Sequence, residues 1–483
     1  MRRYLVLLCL GFCLSMGYAQ KQHDCFSVVA GRLATADGSV MFAHNEDDYG
    51  NVHFNMYRVP SPNNKEVALT ATNTAAENAD IKPPKVGFHW LEMPGMDFSD
   101  SFMNDNGVVI ASDACHSRED QPELTDGGIS WQLRYAMASE ATSARHAVGI
   151  ATELLINRGY NSSGRTYIIA DPNEAWMLSV VYGKHYVAKR IPDSCIAVIP
   201  NYYTITDVDL NDEKNVIASP DLVQYAISRD WYNPEKDGAF NFRKAYGAAE
   251  SLQDLSNIAR MWMALNMLTQ KKYKSSDDFP WVIKPTRKVE LQNLMAILSN
   301  HFEDTEFACS KDDPNADKHK CEPSSICSET TQYGFVAQLR ASLPLMVGCV
   351  LWLAPYRPCT NAYFPVYLGV DKTPEGFGGK SYTEAIKHHL EGDQKPGMVL
   401  PNSAYELFYK NTNIINEKPS LEAKKRFNEL TNEFIRQQPM AEKLAMYSLP
   451  KMENEAIRVL TTRMNQTFEK VLKLSNECAF KQP

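Results

Sequence analysis

Short apolar runs broken by turn residues fill the first part of the chain. Residues 26–34 are apolar and β-branched, Asp37-Gly38 is a strong turn signal, and residues 39–43 resume an apolar run, so a hairpin is predicted. Residues 51–88 are polar and rich in Pro and Asn, which predicts loops and short strands. Asn106-Gly107 introduces a strand over 108–111. The pattern then changes to a helical period over 129–139 and 143–158, with Leu154 and Leu155 near the end and Gly159 as the C-cap. A meander of strands follows over 167–170, 175–181, 185–189 and 195–199, and its Asp171-Pro172-Asn173 turn has proline at the favoured second position. A helix is predicted over 289–301, and buried strands over 335–339 and 346–353. Residues 372–398, charged and containing Gly and Pro, read as a surface excursion.

From Ser420, which follows Pro419 and is placed to cap a helix, the period is again helical. Phe427, Leu430 and Phe434 share one face, and Ile457, Leu460, Met464, Phe468 and Val471 form a longer stripe. That stripe reads as a helix packed on the core rather than a dimer coil. His388-His389 reads as part of a solvated helix. Hairpins and meanders followed by helices, without βαβ alternation or internal repeats, predict an α+β fold with antiparallel sheets.

The chain has 483 residues, 44% of them hydrophobic and 22% charged, an ordinary globular composition. Its first residues read as an address: Arg2 and Arg3, an apolar stretch over 4–16, and small residues Gly17 and Ala19 around Tyr18. We expect residues 1–19 to be a cleaved secretory signal and the protein to be periplasmic or secreted. Removing the two arginines takes the net charge from −8 to −10. That balance argues against a nucleic-acid or anionic-membrane partner. No later stretch has the roughly 20 apolar residues of a spanning helix.

Of eleven cysteines, Cys9 and Cys13 would leave with the signal, and the odd remainder predicts one free thiol. Cys309, Cys321 and Cys327 lie in a polar stretch, where a Cys309–Cys321 or Cys309–Cys327 disulfide would staple a surface loop. A metal knuckle fits less well, because that spacing lacks a second pair of ligands. There is no His-Glu-x-x-His pair, serine-hydrolase elbow or phosphate-cradling glycine loop.

Cys25 stands at the head of the first strand, six residues past the signal cleavage point. A cut before it would create an α-amine, with a pKa of about 7.7–8, on the same residue as the thiol. That amine would serve as the base a thiol needs. A cysteine half-buried in an edge strand, or half of a disulfide, is the plainer alternative. His44-Asn45-Glu46-Asp47 ends the second strand, and pairing through the Asp37-Gly38 turn returns it beside Cys25. Asp47 is placed to hold the amine by a charge-assisted bond. A solvated strand end is the alternative there.

The run CFSVVAGRLATADGSVMFAHNEDD, residues 25–48, resembles the start of the mature chain in the dipeptidase A/secernin family of N-terminal nucleophile (Ntn) hydrolases. GRTYIIADPNEAWMLSVVYGKHYVAKRIPDSCIAVIPNYYTI resembles that family's central meander. LMAILSNHFEDTEF, VAQLRASLP, VGCVLWLAP and FPVYLGV resemble its later blocks in the same order, so the likeness covers nearly all of the mature chain.

The resemblance implies a four-layer αββα sandwich, amide hydrolysis, dipeptides as substrates, and no metal or organic cofactor. By looser similarity to bile-salt and penicillin amidases, Asp47 matches the aspartate beside the nucleophile, and Asn201 an asparagine that helps hold the oxyanion. His44 stands where those relatives commonly carry arginine. Residues 20–24 also precede Cys25 and imply a short propeptide. The implied organisation is a signal over 1–19, a peptidase domain over 25–418 and a helical extension over 419–483.

Cys25, Asp47 and Asn201 are therefore the expected catalytic residues. His44, Glu46, Asp113 and Arg165 are the expected substrate-binding ones, since a dipeptide's amine and carboxylate call for charged partners. A small peptide is the expected partner, with no nucleic acid and no membrane span, and a homo-oligomer is compatible with the sequence. Another Ntn amidase acting on bile-salt, penicillin or acyl amides, or a non-catalytic binding protein on the same fold, are the rival readings.

Overall fold

The computed structural model describes residues 25–61, 83–96, 100–309, 317–378, 380–390, 399–417, 421–449 and 452–480. The expected signal, the propeptide and Ser420 lie outside them. Among the described residues the strands are β1 (Phe26–Ala30), β2 (Val40–Asp47), β3 (Asn55–Val59), β4 (Phe88–Glu92), β5 (Ser101–Asn104), β6 (Val109–Ala114), β7 (Tyr160–Ala170), β8 (Ala175–Gly183), β9 (Tyr186–Arg190), β10 (Ile196–Ile199), β11 (Val216–Ala218), β12 (Thr331–Leu339), β13 (Cys349–Ala354) and β14 (Phe364–Tyr367). The helices are α1 (Trp131–Glu140), α2 (Ala144–Arg158), α3 (Leu222–Ser228), α4 (Phe242–Tyr246), α5 (Ala249–Gln253), α6 (Leu255–Leu268), α7 (Leu291–Leu298), α8 (Leu345–Gly348), α9 (Tyr382–Leu390), α10 (Ala404–Glu417), α11 (Leu421–Ser448) and α12 (Glu453–Phe480).

Two antiparallel sheets form the centre. One has the order β10-β1-β2-β12-β13-β14 and the other β11-β9-β8-β7-β6-β5-β4-β3. Strand alternation sorts their side chains into layers. On β6, Val109 and Ala111 face the core shared with the first sheet, while Val108 just before the strand and Ile110 face a second core with α1 and α2. α2 packs on β7, β8 and β9, and α6, α7 and α12 pack on the first sheet. Helices therefore cover both outer faces, and the α+β architecture follows. All eight residues of β2 are buried, because it has a sheet on one face and helices on the other. Each large apolar side chain fully buried in these layers stabilises the fold by about 1.5–3 kcal/mol.

Local chemistry explains several element ends. Ser143 caps α2 by accepting from the His146 N–H, and Gly159 ends it at φ 78°, a backbone region open to glycine. Glu290 and Asn293 form a reciprocal capping box at the start of α7.

Other expectations need correction. Asp37-Gly38 does not make a tight hairpin: β1 ends at Ala30, β2 begins at Val40, and Ala30 pairs with Met41 across a longer loop. The 51–88 segment does carry the short strands expected of it, β3 and the start of β4, paired with each other. The expected strand over 346–353 opens as the single turn α8, since Pro344 fixes the backbone ahead of it. His389 is fully buried rather than solvated, held between Glu92 and Asp100. The C-terminal stripe meets the core: Phe468 packs on Phe364 of β14 and Phe408 of α10, and Arg340 pairs with Glu442 of α11 at 2.6 Å. No helix among the described residues is long and apolar enough to cross a membrane.

Candidate active site

Register builds the site. β1 and β2 pair with Phe26 opposite Asn45 and Ser27 opposite His44, so Cys25, one step earlier, stands opposite Glu46. On its other side β1 pairs with β10, Ser27 opposite Ile199, and extending that register by two places sets Cys25 opposite Asn201. Alternation puts Cys25, Ser27, His44 and Glu46 on the face turned to the second sheet. Asn45 points the other way, and its Nδ2 donates to the carbonyls of Leu298 and Ile326, each at 2.9 Å.

A chain of hydrogen bonds runs from the thiol across both sheets. Cys25 Sγ donates to Glu46 Oε1 at 3.1 Å, and Glu46 Oε2 lies 3.0 Å from His44 Nε2. His44 Nδ1 lies 2.8 Å from Ser27 Oγ, which donates to Asp113 Oδ2 at 2.7 Å. Ser27 has one hydrogen and gives it to Asp113, so it accepts from Nδ1–H of His44. Nε2 faces a carboxylate. The ring is thus held at both nitrogens, by Ser27 on one side and Glu46 on the other. The Tyr333 hydroxyl closes the group 3.4 Å from Glu46 Oε2.

The electrostatics oppose a thiolate. Burial pushes the Cys25 thiol well above its ordinary range, and Glu46, Asp113 and Asp47 push it further the same way. The backbone carbonyl of Asp47 lies 3.6 Å from Sγ. Burial also lifts the Asp113 carboxyl to about 6, against the opposing pull of His44 and the Ser27 hydroxyl.

A raised carboxyl pKa means that the folded state holds its proton more tightly than the unfolded chain. The associated stability is complete below the ordinary value of 3.8 and is lost as pH rises through about 6. Asp113→Asn removes this titration. The unfolding free energy of the variant relative to wild type should therefore improve between pH 4 and 7, by up to about 3 kcal/mol. Urea melts at the two pH values check it; a constant difference would show that Asp113 does not titrate in this window.

Asn201 sits after β10 in the left-handed region at φ 68°. Its Nδ2 donates to the Ala114 carbonyl at 3.0 Å, and its Oδ1 accepts from Arg260 Nη2 at 3.0 Å. Arg260, buried on α6, also reaches the Asn257 side chain at 2.6 Å and the Cys25 carbonyl at 3.4 Å. It thus ties the residue before β1 to the turn after β10. Sequence reading missed Arg260 and Ser27. For Arg260 the available signal was a lone cation among Ile258, Ala259, Met261 and Trp262.

The structure brings Cys25, His44, Glu46, Asp113 and Asn201 together, with buried Asp47 at the same strand end. Arg165 lies within electrostatic reach of Cys25, Glu46 and Asp113. It neighbours Thr166 on β7, and its guanidinium bonds Ser112 at 3.2 Å and the Tyr160 hydroxyl at 3.1 Å. Cys25, His44 and Glu46 offer ligand atoms within 4.8 Å of one another, but the bonds just described already engage them. Cys309 and Cys321 are joined in a disulfide with Cα atoms 5.3 Å apart. Cys327 is buried and unbridged, as are Cys25, Cys115, Cys195, Cys349, Cys359 and Cys478; the expected single free thiol is corrected to seven among the described residues.

Known proteins similar to this chain include dipeptidases. A "Probable dipeptidase" of Latilactobacillus sakei is 26% identical over 370 residues, covering 73% of this chain and 76% of that one. "Dipeptidase A" of Lactobacillus helveticus is 23% identical over 377 residues, covering 74% and 78%. The crystal structure of a mutant conjugated bile acid hydrolase from Clostridium perfringens aligns with 71% of this chain and 92% of its own at 11% identity and a TM-score of 0.34. The model of Peptidase family C69 matches residues 24–414, nearly the whole chain. The protein therefore belongs to peptidase family C69 and is a cysteine-type peptidase.

Proposed function

We propose that this protein is an exported dipeptidase whose nucleophile is Cys25, uncovered as the N-terminal residue by removal of the segment before it. The observation that carries the reading is the Cys25 thiol, 3.1 Å from Glu46 in a buried acidic cluster and flanked across β10 by Asn201. While the nitrogen of Cys25 belongs to a peptide bond, the cluster has acids and one imidazole but no base on the nucleophile itself. Cleavage before Cys25 adds an amine there, with Glu46 and Asp47 as counter-ions. The names of the relatives support a dipeptide substrate, and the amino-terminal sequence supports export, with residues 1–19 as signal and 20–24 as propeptide.

The amine takes the thiol proton and the thiolate attacks the scissile carbonyl. Nδ2 of Asn201 has a second hydrogen beyond the one given to Ala114, and it supports the developing oxyanion. The ammonium returns its proton to the leaving amine, which departs and leaves a thioester. Water, deprotonated by the same amine, hydrolyses the thioester and restores the thiol. Arg260 positions Asn201 and the Cys25 carbonyl without touching substrate.

The test is the mature N-terminus by intact mass, with rates on a dipeptide panel beside conjugated bile salts and acyl amides. A chain beginning at Cys25 and active on dipeptides is expected. A chain that keeps residues 20–24 and hydrolyses dipeptides would remove the amine from the mechanism, and preference for acyl amides would move the substrate class. Asn201→Gly suits the positive φ and removes only the side chain. Its kcat should fall by about 10²–10³, the usual worth of one oxyanion donor, with KM little changed. Steady-state kinetics on folded variant decides it.

A further inference from the structure

Four metal-ligating side chains converge behind the proposed nucleophile, outside the site described above. His301 follows α7, His319 and Cys327 lie in the loop before β12, and Cys359 lies between β13 and β14. All four are buried, and one ligand atom from each falls within 4.8 Å of the others. Nε2 of His319 is 3.1 Å from Cys359 Sγ, and the two imidazoles meet edge to face with centroids 4.8 Å apart.

The outer contacts argue for a metal more strongly than the donors alone. His301 Nδ1 is 3.1 Å from Glu303 Oε1, and His319 Nδ1 is 3.0 Å from Asp317 Oδ1. Each carboxylate fixes its ring with Nε2 turned inward, the support that metal-bound histidines usually receive. Nε2 of His301 is buried and faces the Cys359 sulfur, without a well-formed hydrogen bond among the described residues. A buried imidazole nitrogen left in that condition is costly unless something binds it.

We propose that His301, His319, Cys327 and Cys359 form a structural zinc site. Two sulfurs and two nitrogens in a tetrahedral group are a zinc donor set, and four protein ligands leave no open position for catalysis. Binding releases the two thiol protons, and two thiolates with two neutral imidazoles balance a dication, which suits a buried site. The ligands come from positions 301, 319, 327 and 359, with no close knuckle pair, so spacing alone gives no metal signal. A Cys359 thiol with both imidazoles and the Cys327 sulfur beside it is the rival reading, and it predicts no bound metal.

The site also has a structural task. Asn45, between His44 and Glu46 on β2, donates to Leu298 and Ile326, the two backbone positions that adjoin the loops carrying His301 and Cys327. The Cys327 N–H donates to Asn300 at 3.1 Å, and the Glu329 N–H to His319 at 2.9 Å. A metal joining these loops to the β13–β14 connection would brace the strand from behind.

The full chain, purified without added metal or chelator, should carry about one zinc per molecule by plasma mass spectrometry. X-ray absorption at the zinc edge should show two sulfurs at about 2.3 Å and two nitrogens at about 2.0 Å. Metal content should drop to a small fraction in Cys359→Ser and in the milder His301→Gln. The wild-type measurements need no variant to fold. A metal-free wild type that still binds none on addition of zinc salts overturns the proposal, as does full zinc content in both folded variants. So does a Cys327–Cys359 disulfide found by alkylation and peptide mapping, since those sulfurs would then be committed to each other.

Discussion

Cys25→Ala should lower kcat toward a dipeptide by on the order of a million-fold, the loss seen when the attacking atom of a covalent mechanism is removed. The size follows from what surrounds the thiol. Glu46, Asp47 and Asp113 repel an acyl oxyanion rather than form one, and the His44 ring is held between Glu46 and Ser27. The Ser27 hydroxyl in the same cluster gives its hydrogen to Asp113 rather than to a base. The same thiol is also chemically suited to attack the carbonyl before it, so the variant risks remaining unprocessed. Chemistry is separated from processing by producing both chains with residue 25 directly after the initiator methionine, and confirming its removal by mass. Equal activity of the two processed proteins would place the nucleophile elsewhere. Loss of activity only in the unprocessed form would assign Cys25 to maturation alone. The raised thiol pKa adds a direct reading: at neutral pH, iodoacetamide should label Cys25 slowly in the unprocessed chain and faster once the amine is free.

How legible this was in the sequence depends on the range of each contact. The Cys25–Glu46 pair joins neighbouring strands of one connection, so alternation and a turn signal brought the two ends together even though the turn itself was longer than expected. Asn201 was found through family resemblance, and its place opposite Cys25 depends on β1 pairing with a strand about 170 residues later, which no local pattern encodes. Arg165 was legible as a charge, but its partners were not: one residue from Thr166, the partner of Asp113, it bonds Ser112 and Tyr160 and acts electrostatically on Cys25 and Glu46. Arg260 and His389 failed for a related reason. A cation inside an apolar helix, or a histidine in a polar one, is assigned to solvent or core only when the opposing surface is known.

That last histidine sets the second large effect. His389→Leu should lower the unfolding free energy by about 3–5 kcal/mol, the cost of breaking a buried ion pair from one side. His389 Nδ1 lies 3.1 Å from Glu92 Oε1 and Nε2 lies 3.2 Å from Asp100 Oδ2. Asp100 Oδ2 also accepts from the indoles of Trp90 at 2.9 Å and Trp131 at 2.8 Å, and Glu92 Oε2 from Asn55 at 3.0 Å. Leucine would fill the space but leave both carboxylates buried without their cation. The pH dependence has a definite sign. Burial disfavours the imidazolium, but Asp100 and Glu92 together outweigh it and lift His389 from 6.5 to about 10. A group whose folded pKa is raised contributes stability that is complete below its unfolded value and is lost as pH climbs through the folded one. Wild-type stability from this source should hold below pH 6.5 and decline toward pH 10, whereas the leucine variant lacks that decline. The gap between the two proteins should therefore be widest at about pH 6 and narrow by about pH 10. Urea unfolding at both pH values measures it. A gap independent of pH would mean that His389 is neutral where it lies, and that α9 docks on β4 by packing rather than by charge.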